Sequence, residues 1–95
     1  MRLTNYEHQH IKQVFDQVFG QGEIYLFGSR VDDTKKGGDI DLFVESDDTS
    51  DWFAKKIRFL ARLKRGIGDQ KIDVVLSEDS SRLIEQEARK WAIKL

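Results

Sequence analysis

The chain has 95 residues, of which 39% are hydrophobic, and its 16 basic and 17 acidic side chains give a formal net charge of −1. This length predicts one small domain over residues 1–95, and the balanced charge does not favour nucleic acid as a partner. The absence of cysteine excludes a disulfide framework and a thiolate zinc site, and no apolar run approaches the roughly 20 residues of a membrane span, so we expect a soluble cytoplasmic protein.

The first half of the chain predicts one helix followed by two strands. Asn5 is a plausible N-cap, and the helical pattern stops at Gly20. Apolar residues recur within it at helical spacing, at Ile11, Val14, Phe15, Val18 and Phe19. The run Ile24–Phe27 is β-prone and too short for a helix. After a polar, glycine-containing loop, Asp39–Glu45 is predicted as the second strand.

The second half predicts a helix, a strand and a final helix. The polar segment Ser46–Asp51 can cap a helix that ends near Gly66 and whose wide apolar arc suggests packing against a sheet. That arc consists of Trp52, Phe53, Ile57, Phe59, Leu60 and Leu63. Ile72–Leu76 is predicted as a third strand, and a final helix carries Ile84, Ala88, Trp91 and Leu95 on one face. The expected fold class is α/β (α+β), a small mixed β-sheet with helices packed on it.

Three aspartates stand out because folding alone gives no reason to place them in strands. Asp39 and Asp41 are two residues apart in a predicted strand, so both side chains lie on the same face. Crowding two like charges raises their free energy unless a cation or a proton offsets it. Asp73 sits among apolar neighbours in the third strand and needs a partner. If the two strands are adjacent, the three carboxylates could hold Mg²⁺ or Mn²⁺; for Asp73 alone, a salt bridge is the alternative.

A glycine turn precedes these carboxylates. Gly28 follows the first strand, and glycine permits the close approach or unusual dihedral angles of a tight turn. The backbone N–H groups that follow can face a phosphate, with the Ser29 hydroxyl as an additional donor. Most Gly-Ser pairs are ordinary turns. The two carboxylates that come shortly after Gly28 make a nucleotide site the stronger interpretation.

In combination, these segments resemble the DNA polymerase beta-like nucleotidyltransferase superfamily. The similarity rests on Gly28-Ser29-Arg30, Asp39-Ile40-Asp41-Leu42 and Ile72-Asp73-Val74-Val75. The size of the chain is similar to that of the minimal nucleotidyltransferases (MNT type), in which the catalytic core stands nearly alone. The resemblance covers most of the chain and implies a polymerase-beta palm-like arrangement of the sheet and helices.

The resemblance also implies roles for the site residues. Gly28 and Ser29 correspond to the pair that holds nucleotide phosphates, and Asp39 and Asp41 correspond to the pair that binds divalent metal. Asp73 matches a third carboxylate that helps to bind the catalytic metal and can accept a proton from the attacking hydroxyl. The implied cofactor is Mg²⁺, as two ions, with Mn²⁺ as a substitute, and the implied substrate is ATP.

Three further positions qualify the resemblance. Arg30 matches an arginine that supports the turn or the phosphates, and a surface ion pair is an equal alternative. Gly38 stands where the family often has serine, which removes a hydroxyl but no metal ligand. Trp91 stands where a glycine is frequent, so the resemblance is weakest near the end of the chain.

The implied reaction is transfer of AMP from ATP to a hydroxyl with release of pyrophosphate. Minimal nucleotidyltransferases commonly act with an HEPN-family toxin, so the resemblance implies an antitoxin that adenylylates a tyrosine of such a partner within a hetero-oligomer. Two alternatives remain open. One is a catalytically silent antitoxin that neutralises its partner by contact, and the other is a small-molecule nucleotidyltransferase of the aminoglycoside-modifying sort.

Other conspicuous side chains are assigned to ordinary structural positions. His8 and His10 lie on a polar part of the first helix and are expected to be solvated. Phe53 and Phe59 are expected in the core, together with the two tryptophans. The basic residues of the second helix are expected to form a solvated face, with an acidic partner or nucleic acid as the alternative.

Overall fold

The computed structural model describes residues 3–28, 39–46, 50–68, 70–76 and 92–95. In chain order the elements are α1 (Asn5–Val18), β1 (Glu23–Phe27), β2 (Ile40–Glu45), α2 (Trp52–Ile67), β3 (Ile72–Leu76) and β4 (Ile93–Lys94). The two helices and first three strands lie where the hydrophobic periodicity predicts them. Neither helix in the described part of the chain has the length and apolar character needed to cross a membrane.

Helix α1 begins one residue earlier than the sequence suggested. Thr4, and not Asn5, is the N-cap: its hydroxyl oxygen accepts a hydrogen bond from the Glu7 backbone N–H at 3.0 Å. The Glu7 carboxylate in turn accepts one from the Thr4 N–H at 2.9 Å. This reciprocal capping box satisfies two N–H groups that a helix end would otherwise leave without partners. The prediction of Asn5 as the cap was therefore wrong, because the Thr-x-x-Glu spacing fits a capping box that starts at Thr4.

The four strands form a mixed sheet in the order β3-β2-β1-β4. Strand β1 runs antiparallel to both β2 and β4, whereas β2 and β3 are parallel. The parallel pair is joined through α2, as a parallel connection requires a crossover. This arrangement confirms the expected α+β class with a small mixed sheet.

The chain returns to the sheet at β4, where the sequence had suggested a helix. Ile93 and Lys94 pair with Leu26 and Tyr25 of β1, and the Leu95 N–H donates to the carbonyl oxygen of Ile24 at 2.9 Å. Placing Leu95 on a helical face was therefore wrong, because a two-residue strand is too short to show a period of its own. The other residues of that predicted helix, Ile84, Ala88 and Trp91, lie outside the described residues.

The core lies between one face of the sheet and the two helices. Alternate residues of β1, β2 and β3 are buried there, including Ile40, Leu42 and Val44 of β2. The helical residues that meet them are Ile11, Val14, Phe15, Val18, Phe59 and Leu63. Two members of the predicted apolar arc of α2 do not join this core, since Phe53 is 72% exposed and Ile57 is 56% exposed. The arc is wider than the face that the sheet and α1 can cover.

Helices α1 and α2 meet closely at His10. Its Nε2 donates to the carbonyl oxygen of Arg62 at 3.3 Å, and a Cβ at position 66 would collide with the imidazole ring. Gly66 therefore allows the two helices to approach each other. His10, expected on a solvated surface, is partly exposed and also takes part in this helix contact.

Candidate active site

Strand pairing brings Asp41 and Asp73 together at one end of the sheet. The parallel register aligns Asp41 with Asp73. Since the neighbours of Asp41 in the sequence, Ile40 and Leu42, point into the core, alternation turns Asp41 to the opposite face of the sheet. The same alternation applies to Asp73, which lies between buried Ile72 and Val74 and is exposed. The two side chains thus lie on the face of the sheet away from α1 and α2, as the sequence predicted for adjacent strands.

Gly28 lies at the same end of the sheet, directly after β1. Phe27 is the register partner of Asp41, and Gly28 follows with φ of +77°. A Cβ at this position would collide with Oδ2 of Asp41 and would lie 3.2 Å from its Cγ. Both the positive φ and this close approach require glycine. Gly28 is therefore packed against the Asp41 carboxylate; Ser29 and Arg30, the other predicted turn residues, lie outside the described residues.

Asp39 lies immediately before β2, at the same end. Its Oδ2 is 3.4 Å from the Nζ of Lys71, and the Asp39 side chain is 40% exposed. The N–H of the next residue, Ile40, donates to the carbonyl oxygen of Lys71 at 3.0 Å, which fixes the two chain segments side by side. Sequence reasoning did not single out Lys71. Its position two residues before Asp73, at the start of the strand expected beside Asp39 and Asp41, could have indicated it.

The surroundings of Asp41 disfavour its charged form. Burial raises the pKa of Asp41, and the negative charges of Asp73 and Asp39 raise it further, while Lys71 acts in the opposite direction. Phe27 and Phe43 lie on the same face of the sheet as Asp41 and contact each other edge to face. A carboxylate held in such surroundings gains from a nearby cation.

The carboxylates of Asp39, Asp41 and Asp73 are suitable ligands for a hard divalent cation, although they are not arranged as a ligand cluster. Within the residues that the structure describes, no group of three or more His, Cys, Asp or Glu side chains is positioned to hold a metal ion. Asp41 and Asp73 are neighbours across the strand pair, and Asp39 is paired with Lys71. Carboxylate oxygens are the ligands that Mg²⁺ and Mn²⁺ prefer. Joint metal ligation by Asp39, Asp41 and Asp73 therefore stays a prediction that the chemistry of the residues supports.

The raised pKa of Asp41 predicts a pH-dependent stability without metal. Below the ordinary aspartate pKa, Asp41 is protonated in both the folded and unfolded states; as pH rises through its folded-state pKa, the stability that protonation provided is lost. In EDTA, the Asp41→Asn variant should therefore gain stability relative to the unaltered protein as pH rises from about 3.5 to 7. Urea unfolding of both proteins across this range measures the difference. A difference that does not change with pH would contradict the inferred charge repulsion.

Comparison with known proteins gives a match at the level of a family. No individual curated protein gives a significant match. The family described as "Polymerase beta, Nucleotidyltransferase" matches residues 9–95, a span that includes the Gly28 turn, all three aspartates and every described strand. The match covers nearly the whole chain. The chain therefore belongs to the polymerase beta nucleotidyltransferase family, and nucleotidyl transfer is its kind of activity.

Proposed function

We propose that the protein transfers AMP from ATP to a hydroxyl group and releases pyrophosphate. The observation that carries this proposal is the position of Gly28, so close to the Asp41 carboxylate that a Cβ would collide with it, together with Asp73 as the register partner of Asp41. A turn of this kind can present backbone N–H groups to phosphate oxygens. The carboxylates next to it can bind the cations that accompany a triphosphate.

Each of the site residues has a proposed role in an in-line displacement at the α-phosphorus of ATP. Asp39, Asp41 and Asp73 would hold two Mg²⁺ ions, or Mn²⁺ ions in their place. The bound ions would neutralise phosphate charge and make the acceptor hydroxyl more acidic. Asp73 would take the proton as the acceptor oxygen bonds to phosphorus. The bond from the α-phosphorus to its bridging oxygen then breaks and pyrophosphate leaves. Gly28 and Ser29 would position the phosphates.

Two forms of labelled ATP test this reaction. The protein is incubated with Mg²⁺ and ATP labelled at either the α- or the γ-phosphate, with and without the product of an adjacent gene. Covalent transfer of the α label alone supports nucleotidyl transfer, whereas transfer of the γ label would indicate phosphoryl transfer instead. Tight binding of the neighbouring gene product without any transferred label would favour the silent antitoxin. Label on a small molecule would favour the small-molecule nucleotidyltransferase.

The proposed acceptor is a tyrosine of an HEPN-type toxin, with this protein as its antitoxin. A surface on α2 supports a protein partner: Phe53 and Ile57 are one helical turn apart and largely exposed, as anchor residues of a helix in a groove are. The helix has no acidic residue and carries six basic ones, Lys55, Lys56, Arg58, Arg62, Lys64 and Arg65. Two copies of this helix would repel each other, so the surface is suited to an acidic partner and not to a second copy.

The Phe53 and Ile57 side chains should contribute strongly to partner binding. The double variant Phe53→Gln/Ile57→Gln is expected to weaken the complex with the adjacent gene product by about tenfold or more, because apolar anchors dominate interface energetics. Since both side chains are already exposed, the thermal midpoint should stay unchanged. Calorimetric titration of the partner measures the affinity, with Ala54→Gln, an exposed position on the same helix, as the control. Equal affinities for the double variant and the control would exclude this surface.

A further inference from the structure

In the part of the chain that the structure describes, Lys71 brings a positive charge next to Asp39, at the end of the sheet that also holds Asp41 and Asp73. Its backbone is held there by the 3.0 Å hydrogen bond from the Ile40 N–H to its carbonyl oxygen. Its Nζ lies 3.4 Å from Oδ2 of Asp39, and its side chain is 71% exposed. The ammonium group is therefore close to one of the three aspartates and open to solvent on its other side.

The positive charge of Lys71 lies close to several carboxylates. Among the described residues at this end of the sheet, the carboxylates of Asp39, Asp41 and Asp73 outnumber the ammonium of Lys71, which lowers the pKa of Asp41 as well as pairing with Asp39. An exposed ion pair of this kind contributes little to folding stability. Its effect is local: it partly neutralises the carboxylates when no other cation is present.

We propose that Lys71 is an exchangeable cation of this site, which pairs with Asp39 in the free protein and with the nucleotide phosphates when a divalent cation binds the carboxylates. The inference rests on the proposed function. A divalent cation bound by Asp39 would share the negative charge of the carboxylate with which Lys71 pairs, so the two positive charges compete. Lysine suits the second role because its ammonium is a compact charge with three donors on a flexible stem, and lysine is a common phosphate-binding residue.

The exchange predicts opposite changes in two affinities. In Lys71→Met, Mn²⁺ without nucleotide should bind about three- to fivefold more tightly because the competing charge is gone. Mg-ATP should bind about tenfold more weakly because a charge-assisted contact to phosphate is lost. Lys71→Arg keeps the positive charge and should leave Mn²⁺ affinity near that of the unaltered protein.

Manganese titration by electron paramagnetic resonance and calorimetric titration with Mg-ATP measure these affinities. Lys94→Met is a matched control, because Lys94 also forms an exposed ion pair, with Glu23 at 3.2 Å. This pair lies away from the acidic edge, the end of the sheet that holds Asp39, Asp41 and Asp73. Lys94→Met should change neither affinity, and both methionine variants should unfold at the same temperature as the unaltered protein. Unchanged Mn²⁺ affinity in Lys71→Met would overturn the exchange while leaving the proposed function standing. No Mn²⁺ binding by the unaltered protein would overturn both.

Discussion

Replacing Asp41 with asparagine is expected to reduce nucleotidyl transfer by roughly 10³-fold or more and to leave the fold intact. Asp41 is the carboxylate on which the Gly28 turn is packed, and it is aligned with Asp73 across the parallel strand pair. The amide keeps the size of the side chain but removes the negative charge that would bind a divalent cation. Because that charge is unfavourable in the free protein, the variant should be at least as stable as the unaltered protein in EDTA.

The rate is measured as transfer of α-labelled AMP, and stability as the urea midpoint. Asp16→Asn is the control, because Asp16 is an exposed carboxylate on α1 outside the acidic edge. It should leave transfer unchanged. If Asp41→Asn retained more than about a tenth of the activity, Asp41 would not carry the charge on which the reaction depends.

Replacing Gly28 with alanine is the second substitution with a large expected effect, because it disturbs both the fold and the site. Residue 28 has φ of +77°, which costs an alanine about 1 kcal/mol. Its Cβ would also collide with Oδ2 of Asp41, so the turn or the carboxylate must move. We expect a loss of about 2–3 kcal/mol in the free energy of unfolding, together with loss of most transfer activity.

Gly20→Ala separates the two contributions. Gly20 has the same φ of +77°, but a Cβ there would lie 4.0 Å from its nearest neighbour, the Asp16 carbonyl oxygen. The loss of stability in Gly20→Ala therefore comes from the backbone conformation alone. The extra destabilisation and the activity loss in Gly28→Ala report the collision with Asp41. Equal losses of stability in the two variants, with transfer preserved in both, would show that the turn does not need to touch Asp41.

The parts of the fold that could be predicted from sequence are those in which one local pattern determines the structure. The apolar period of α1 is long enough to determine by itself which of its residues are buried. In β2, by contrast, Phe43 is buried although alternation places it on the face opposite to Leu42 and Val44. The nearness of Asp41 and Asp73 could be predicted only conditionally, because it requires β2 and β3 to be neighbours. The structure supplies that pairing and its register.

The features that could not be predicted depend on contacts between distant segments. Strand β4 exists because β1 has an edge available for Ile93 and Lys94, and two residues carry no period. Phe53 remains exposed because the sheet and α1 cover only part of the apolar arc of α2. Lys71 approaches Asp39 from a segment more than thirty residues away in the sequence.

Paramagnetic Mn²⁺ tests most directly the claim that the acidic edge is the metal-binding part of a nucleotidyl-transfer site. In an NMR titration without an acceptor, the backbone N–H signals of Gly28, Asp41 and Asp73 should broaden first and most strongly. Those of Glu23 and Leu76, at the other ends of their strands, should broaden least, and Asp41→Asn should remove the pattern. Uniform broadening, or broadening centred on another part of the chain, would contradict the account.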